Sequence, residues 1–498
     1  MNEKELQIMK SKSIFSVASL LFQSSYSAIL GFLAFFILTF KSSTSLLGIY
    51  STVLASMSFF NYITDLGIGA ALIQKKDTRD IDLNSAFFTQ LILVIIAVSI
   101  GYLFGGHIIN GYKDIPENAI YLYWALLASF FMLSLKSIPS VILEKKVEIY
   151  KVVLVSSVEN TVFYVTIIVM VLMGYTMEAL IAAVLFRSAV GLTTMFIMQP
   201  WRPKFMFSIA SMKELLKYGI PFQGNSFLAL IKDDLLIIFL GQTLGLSALG
   251  LISFGKKYAE MAVRLVTDNI NRVAFPVFAR VQDNKELLAK SLMRNIFYGS
   301  LIVFPIVIGT MFTFDSALKL FEGYFTKWQG SLWSFYFFSL STLCVSLMTP
   351  FINLFNAVKK VKLSLLFMVL WTCLMWAFIP AATHYFGYNA VAPIFLIVNS
   401  TVVFVIWQAK KIVHFSILKE LHGIFIGSLL MIAYLGVVRG IAINYLNSPE
   451  LHLIFSILGA PITYGGTIII VYGVETFKNV LRTLRPSSAG GSPLDDQH

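Results

Sequence analysis

The recurrence of apolar stretches as long as a bilayer is thick restricts this chain more than any other feature. A helix needs about 20 consecutive apolar residues to cross a hydrocarbon core of about 30 Å. Stretches of that kind fall at residues 14–39, 46–64, 84–109, 119–138, 151–174, 178–199, 218–241, 246–270, 292–315, 329–349, 362–383, 388–408, 421–446 and 451–475. Inside lipid no water satisfies stray amides, so such stretches become helices. The sequence therefore predicts an all-α polytopic membrane protein with fourteen transmembrane helices. Composition agrees, since 57% of residues are hydrophobic and only 13% charged, against about 25% charged in soluble domains. That balance excludes a water-soluble globular architecture. Cys344 and Cys373 both lie within apolar stretches and read as buried thiols, which removes a disulfide scaffold. The first stretch is too long for a removable signal peptide and lacks a small-residue cleavage site.

Lysine and arginine orient the spans, because cytoplasmic connections carry their excess. Of the 38 Lys and Arg, 27 fall in the N-terminus, the C-terminus and the segments 65–83, 136–151, 200–217, 271–291, 357–362 and 409–420. The alternate set holds only Lys41, Lys113, Lys319 and Lys327. This bias predicts both termini in the cytoplasm and an even number of spans. It also accounts for most of the net charge of +12, so the basic balance reflects topology and not a nucleic-acid surface.

Two segments repeat. Phe22-Gln23 opens the first span and Phe222-Gln223 the seventh, while Leu46-Leu47-Gly48-Ile49-Tyr50-Ser51 matches Ala248-Leu249-Gly250-Leu251-Ile252-Ser253. Both copies enter the membrane from the same side, which points to a parallel repeat of two six-helix halves with a binding site between them. The organisation expected is a cytoplasmic N-terminus (1–12), an N-lobe (13–200), a C-lobe (201–415), two further spans (416–478) and a polar, disordered cytoplasmic tail (479–498).

Charges inside spans cost at least about 2.5–3.5 kcal/mol each at the helix centre, so they face a partner or a wet cavity. In the eighth span Lys256, Glu260, Arg264, Asp268 and Arg272 alternate in sign at spacing four, a self-neutralising ladder along one helix face. Lys257 exceeds what that ladder can neutralise. Entering at Leu246, the helix reaches Lys256 after about 15 Å, near mid-bilayer. In the seventh span Lys232-Asp233-Asp234 either locks this helix to the eighth or lines a cavity; on a regular helix the three point about 100° apart. Glu159 and Arg187 in spans five and six invite a mutual pair. Arg294 and Arg439 lie near span ends and are expected to snorkel, and Asp315 sits at an outer boundary. The candidate substrate-binding residues are thus Lys232, Lys256, Lys257, Arg264 and Arg187, with Glu159, Asp233, Asp234 and Glu260 for ion coupling or charge pairing. A cavity so lined suits a phosphate or pyrophosphate.

The chain has no Walker A motif and no segment large enough to bind ATP. His107, His384, His414, His422, His452 and His498 occur singly and read as interfacial or tail residues, so neither a metal site nor a cofactor is expected. The outer connections at 40–45, 174–178, 241–247 and 384–388 leave little room for the acidic loop that a membrane polymerase uses.

Leu47-Gly48-Ile49-Tyr50, then Asp65-Leu66-Gly67-Ile68-Gly69-Ala70-Ala71-Leu72-Ile73-Gln74-Lys75-Lys76-Asp77, resembles the start of bacterial polysaccharide flippases of the multidrug/oligosaccharidyl-lipid/polysaccharide exporter superfamily. Lys232-Asp233-Asp234, the stretch Arg272–Arg280 (RVAFPVFAR) and Lys327-Trp328 extend the resemblance over roughly residues 10–480. It implies two six-helix lobes forming a V around a central cavity, with two C-terminal helices beside it. The implied activity is non-enzymatic: alternating access moves a polyprenyl-pyrophosphate-linked oligosaccharide from the cytoplasmic to the outer leaflet of a bacterial inner membrane. Membrane lipids, and possible glycan polymerase and export components, are the implied partners. An ion-coupled multidrug exporter using Glu159 or Asp234 is the alternative within the superfamily; a membrane glycan polymerase or ligase is the alternative outside it. Sugar contacts would fall to Asn61, Asn160, Gln223, Asn225 and Asn353.

Overall fold

The computed structural model describes residues 3–473 apart from 76, 113–114, 117 and 322. The tail expected at 479–498 lies outside the described residues, as do the side chains of Asn61, Asn225, Asp268 and Arg272. The described residues form helices and short connections: α1 (Glu3–Lys41), α2 (Thr44–Asp65), α3 (Ile68–Gln74), α4 (Asp80–Asn110), α5 (Ala119–Leu135), α6 (Ser137–Lys145), α7 (Ile149–Leu172) and α8 (Met177–Met198). There follow α9 (Ile209–Leu230), α10 (Leu236–Leu244), α11 (Leu246–Arg280), α12 (Lys285–Lys319), α13 (Tyr324–Trp328) and α14 (Leu332–Ala357). The chain continues through α15 (Val361–Phe386), α16 (Val391–Asn399), α17 (Val402–Lys410), α18 (Ile417–Arg439) and α19 (Pro449–Tyr472).

By length and composition, ten of the described helical segments can cross a membrane. The expected spans at 46–64, 218–241 and 246–270 form α2, α9–α10 and α11, which are not among the ten. The expected spans at 362–383 and 388–408 fall within one continuous segment, Val361–Lys410. The polytopic helical fold is as expected.

The chain packs into two units. The larger runs to Tyr258 and adds Lys327–Phe338 and Lys362–Val398; the smaller comprises Ala259–Thr326, Ser339–Val361 and the chain from Asn399. In the larger unit α7 packs against α1 and α8, and α5 against α8. Small residues let these backbones approach, as van der Waals packing between helices in lipid requires: Ala179 and Ala183 are fully buried, and the Ser129 and Ser188 hydroxyls bond each other.

The quoted motifs turn out to hold corners of this unit. Leu66 (φ 46°) and Gly67 (φ 71°) form a left-handed turn between α2 and α3. A methyl group on Gly67 would overlap the carbonyl of Gly219 in α9, so glycine is required there for both conformation and approach. Lys75 then bonds Glu214 at 2.8 Å and approaches Asp82 at 3.3 Å, tying α3 to α9 and α4. The bond to the Glu214 carboxylate raises the Lys75 ammonium above the ordinary lysine range. Lys327 donates to the carbonyls of Phe40 and Ser42, and the Trp328 indole donates to that of Thr39 at 3.1 Å. Together they satisfy carbonyls that the end of α1 leaves open. Trp328 is fully buried and stacks on Phe254 at 4.0 Å.

In the smaller unit α12, α18 and α19 pack together. Arg439 does not snorkel as expected; it grips Asp315 with two bonds of 3.2 and 2.7 Å, because α12 presents a buried carboxylate to the end of α18. His452, near the start of α19, is fully buried, with Nδ1 2.7 Å from the Ser316 hydroxyl.

Candidate functional site

The seventh expected span is interrupted at its charges. Ile231–Leu235, carrying Lys232, Asp233 and Asp234, forms a π-helical turn between α9 and α10. Single π turns inside α-helices are rare and concentrate at functional sites. The regular helix assumed from the sequence is therefore corrected at these three residues. The turn packs against α2, and the Trp376 indole of α15 donates to the Ile231 carbonyl at 2.9 Å. Lys232 pairs with its neighbour Asp233 at 2.7 Å, which no regular helix face would have predicted.

Lys256 and Lys257 of α11 diverge. The Lys256 ammonium lies 4.7 Å from the centre of the Phe395 ring and 6.0 Å from that of Phe338. The two rings meet edge-on at 5.3 Å, a cation–π seat that absorbs one of the charges left over from the ladder. Lys257 takes the other direction, 5.9 Å from the Phe35 ring, where it lines a cleft of about 590 Å³. Tyr50, Ser51, Tyr164 and Ser253 line the same cleft, and its remaining walls are apolar.

Arg187 sits behind these tyrosines, within electrostatic reach of Tyr50 and Tyr164. Its guanidinium lies 5.4 Å from the Phe163 ring, with Nε buried and without a hydrogen-bond partner among the described residues. The pair expected between Glu159 and Arg187 is not what forms. Glu159 bonds Lys136, a residue assigned from sequence to a cytoplasmic segment. Lys136 stands alone between two apolar stretches, and that isolation is the signal the loop assignment passed over. Gly191 makes room for the pair, since a methyl group there would overlap the Glu159 carboxylate.

In the smaller unit Arg264 bonds Glu260 at 2.7 Å, as the spacing of four predicts. Arg264 is 70% exposed. Asn160 is engaged with Ser27 of α1 at 3.1 Å. Among the described residues no group of three His, Cys, Asp or Glu could hold a metal.

Residues 43–332 match the family described as "Polysaccharide biosynthesis protein". The chain belongs to that family. Within the polysaccharide biosynthesis proteins it is 21% identical over 276 residues to the teichuronic acid biosynthesis protein TuaB of Bacillus subtilis (strain 168), covering 55% of this chain and 56% of that one. It is 23% identical over 346 residues to the lipopolysaccharide biosynthesis protein WzxC of Escherichia coli (strain K12), covering 67% of each. The match thus spans little more than half the length of the Bacillus relative. The solved structure of the lipid II flippase MurJ, in an inward closed conformation, superposes with a TM-score of 0.77 at 15% identity. That superposition covers 91% of this chain and 98% of MurJ, so the fold is shared almost throughout. The resemblance to bacterial polysaccharide biosynthesis proteins expected from the sequence is borne out by the family match.

Proposed function

We propose that this protein is a non-enzymatic flippase of a bacterial inner membrane, moving a polyprenyl-pyrophosphate-linked oligosaccharide from the cytoplasmic to the outer leaflet by alternating access. Its relatives are named for polysaccharide biosynthesis, and a lipid II flippase shares its fold. In this reading α1–α8 and α9–α17 make the two lobes, and α18 and α19 stand beside them.

The observation that carries the reading is the cleft that Lys257 lines together with Tyr50, Ser51, Tyr164 and Ser253. An ammonium in a cleft with hydroxyl-bearing side chains can hold a diphosphate and the first sugar. Arg187, close behind the tyrosines, adds a second cation. Lys256, seated on its two rings, holds the helix and serves the cargo less directly than Lys257. Lys232 is offset by Asp233, and Arg264 by Glu260, so these two contribute position more than net charge.

The test is complementation of a deletion strain. Lys257→Ala should abolish surface glycan while the protein stays in the membrane at its normal amount, and Lys257→Arg should retain export. Full export by Lys257→Ala would overturn the reading. Drug sensitivity of the deletion strain with normal surface glycan would favour the multidrug exporter instead.

A further inference from the structure

In the smaller unit the N-terminal end of α12 meets the start of α18 and the end of α19 around an open cleft of about 1020 Å³. Lys290 and Arg294 enter it from α12, His414 from the connection before α18, and Glu420 from the first turn of α18. Phe297 and Tyr472 form its wall, their rings edge-on at 5.1 Å. The Tyr472 hydroxyl donates to the Glu420 carbonyl and accepts from the Gly423 amide, which fixes the mouth of the cleft and leaves the Glu420 carboxylate uncommitted.

Lys290 and Arg294 are one turn apart, so their like charges repel. Neither forms an ion pair with any described carboxylate, Glu420 included, although all three line one cleft. The site thus holds both signs of charge, apart from each other. Depth identifies what could join them. Helix α12 has 35 residues and so is about 52 Å long, against a core of about 30 Å. With the helix centred, about its first seven residues stand at headgroup level. Lys290 is the sixth residue of α12, and Arg294 is the tenth, one turn deeper, from which its long side chain can snorkel back to the headgroups.

We propose that this cleft binds a phosphoethanolamine lipid of the cytoplasmic leaflet. Its phosphate bridges Lys290 and Arg294, and its ammonium donates to Glu420. The assignment rests on the Lys/Arg topology and not on the cleft at Lys257; cargo export and lipid retention therefore report separately.

The experiment is native mass spectrometry of the full-length protein exchanged into micelles doped with phosphatidylethanolamine, phosphatidylcholine or phosphatidylglycerol. Wild type should retain phosphatidylethanolamine over the other two by at least about tenfold, or about 1.4 kcal/mol. Lys290→Gln with Arg294→Gln should lose that lipid. Glu420→Gln, an exposed isosteric change that leaves the fold intact, should lose only the preference for the primary ammonium. Equal retention of the three lipids by wild type, or unchanged retention by both variants, would overturn the proposal. So would one-for-one displacement by a polyprenyl phosphate, which would make the cleft a cargo site.

Discussion

Gly48 and Gly250 stand in reciprocal contact with each other's helices: a methyl group on Gly48 would overlap the carbonyl of Leu246, and one on Gly250 would overlap that of Thr44. Thr44 and Leu246 are the first residues of α2 and α11. Residues 44 and 48 map onto 246 and 250 by the same offset of 202 that separates the two repeated sequence segments. Two helices of like sequence thus cross at their N-terminal ends through a pair of equivalent glycines. On the topology we propose from the Lys/Arg count, those ends face outward.

This crossing can be locked. The Thr44 and Ser247 hydroxyl oxygens are 3.3 Å apart, so Thr44→Cys with Ser247→Cys should cross-link on mild oxidation once Cys344 and Cys373 are replaced by serine. If the outer ends must part during transport, the oxidised protein should stop exporting glycan, and reductant should restore export. Glycan export that continues with the link formed would show that the crossing stays closed throughout.

Enlarging either glycine tests the packing itself. Gly48→Leu or Gly250→Leu forces a side chain into a backbone carbonyl, and overpacking of this kind costs about 1–3 kcal/mol. Each should lower the melting temperature of the purified protein. Gly299, around which the same construction meets open space, provides the control: Gly299→Ala should leave the melting temperature unchanged.

The ion pair of Asp315 and Arg439 invites a double-mutant cycle. Asp315 is 7% exposed and Arg439 38%, so water screens one side of the pair. Asp315→Asn alone leaves the guanidinium facing a neutral amide and should cost on the order of 1–3 kcal/mol. Adding Arg439→Leu should recover part of that loss, read as melting temperature. Additive losses would mean that the two groups act independently.

How much of this was legible in the sequence follows from what each feature depends on. Helix positions came from apolar length, and the Glu260–Arg264 bond came from spacing on one helix; both are local properties. Lys136 meeting Glu159 and Arg439 meeting Asp315 depend on which helices become neighbours, which no spacing within a single span encodes. Lys327-Trp328 was recognisable as a motif, yet its role in capping α1 required the fold. The three adjacent charges at Lys232, Asp233 and Asp234 did mark an irregularity, because a regular helix offers them no common partner. The π turn is the backbone's answer, and the Trp376 donor that accompanies it left no trace in the sequence.

The π turn gives the last prediction. At this turn the Trp376 indole donates a hydrogen bond to the Ile231 carbonyl at 2.9 Å. Trp376 also packs on Phe239, with ring centres 5.6 Å apart. Trp376→Phe should keep much of that packing while removing the donor, at a stability cost of about 1 kcal/mol. If the turn is a fixed structural element, export by Trp376→Phe should fall only as far as the amount of folded protein falls. If it is a joint that α9 and α10 work about during transport, export per folded molecule should drop well beyond that. Measuring surface glycan against membrane protein level in the same cells separates the two. The clustering of three charges and a tryptophan donor on one irregular turn favours the joint.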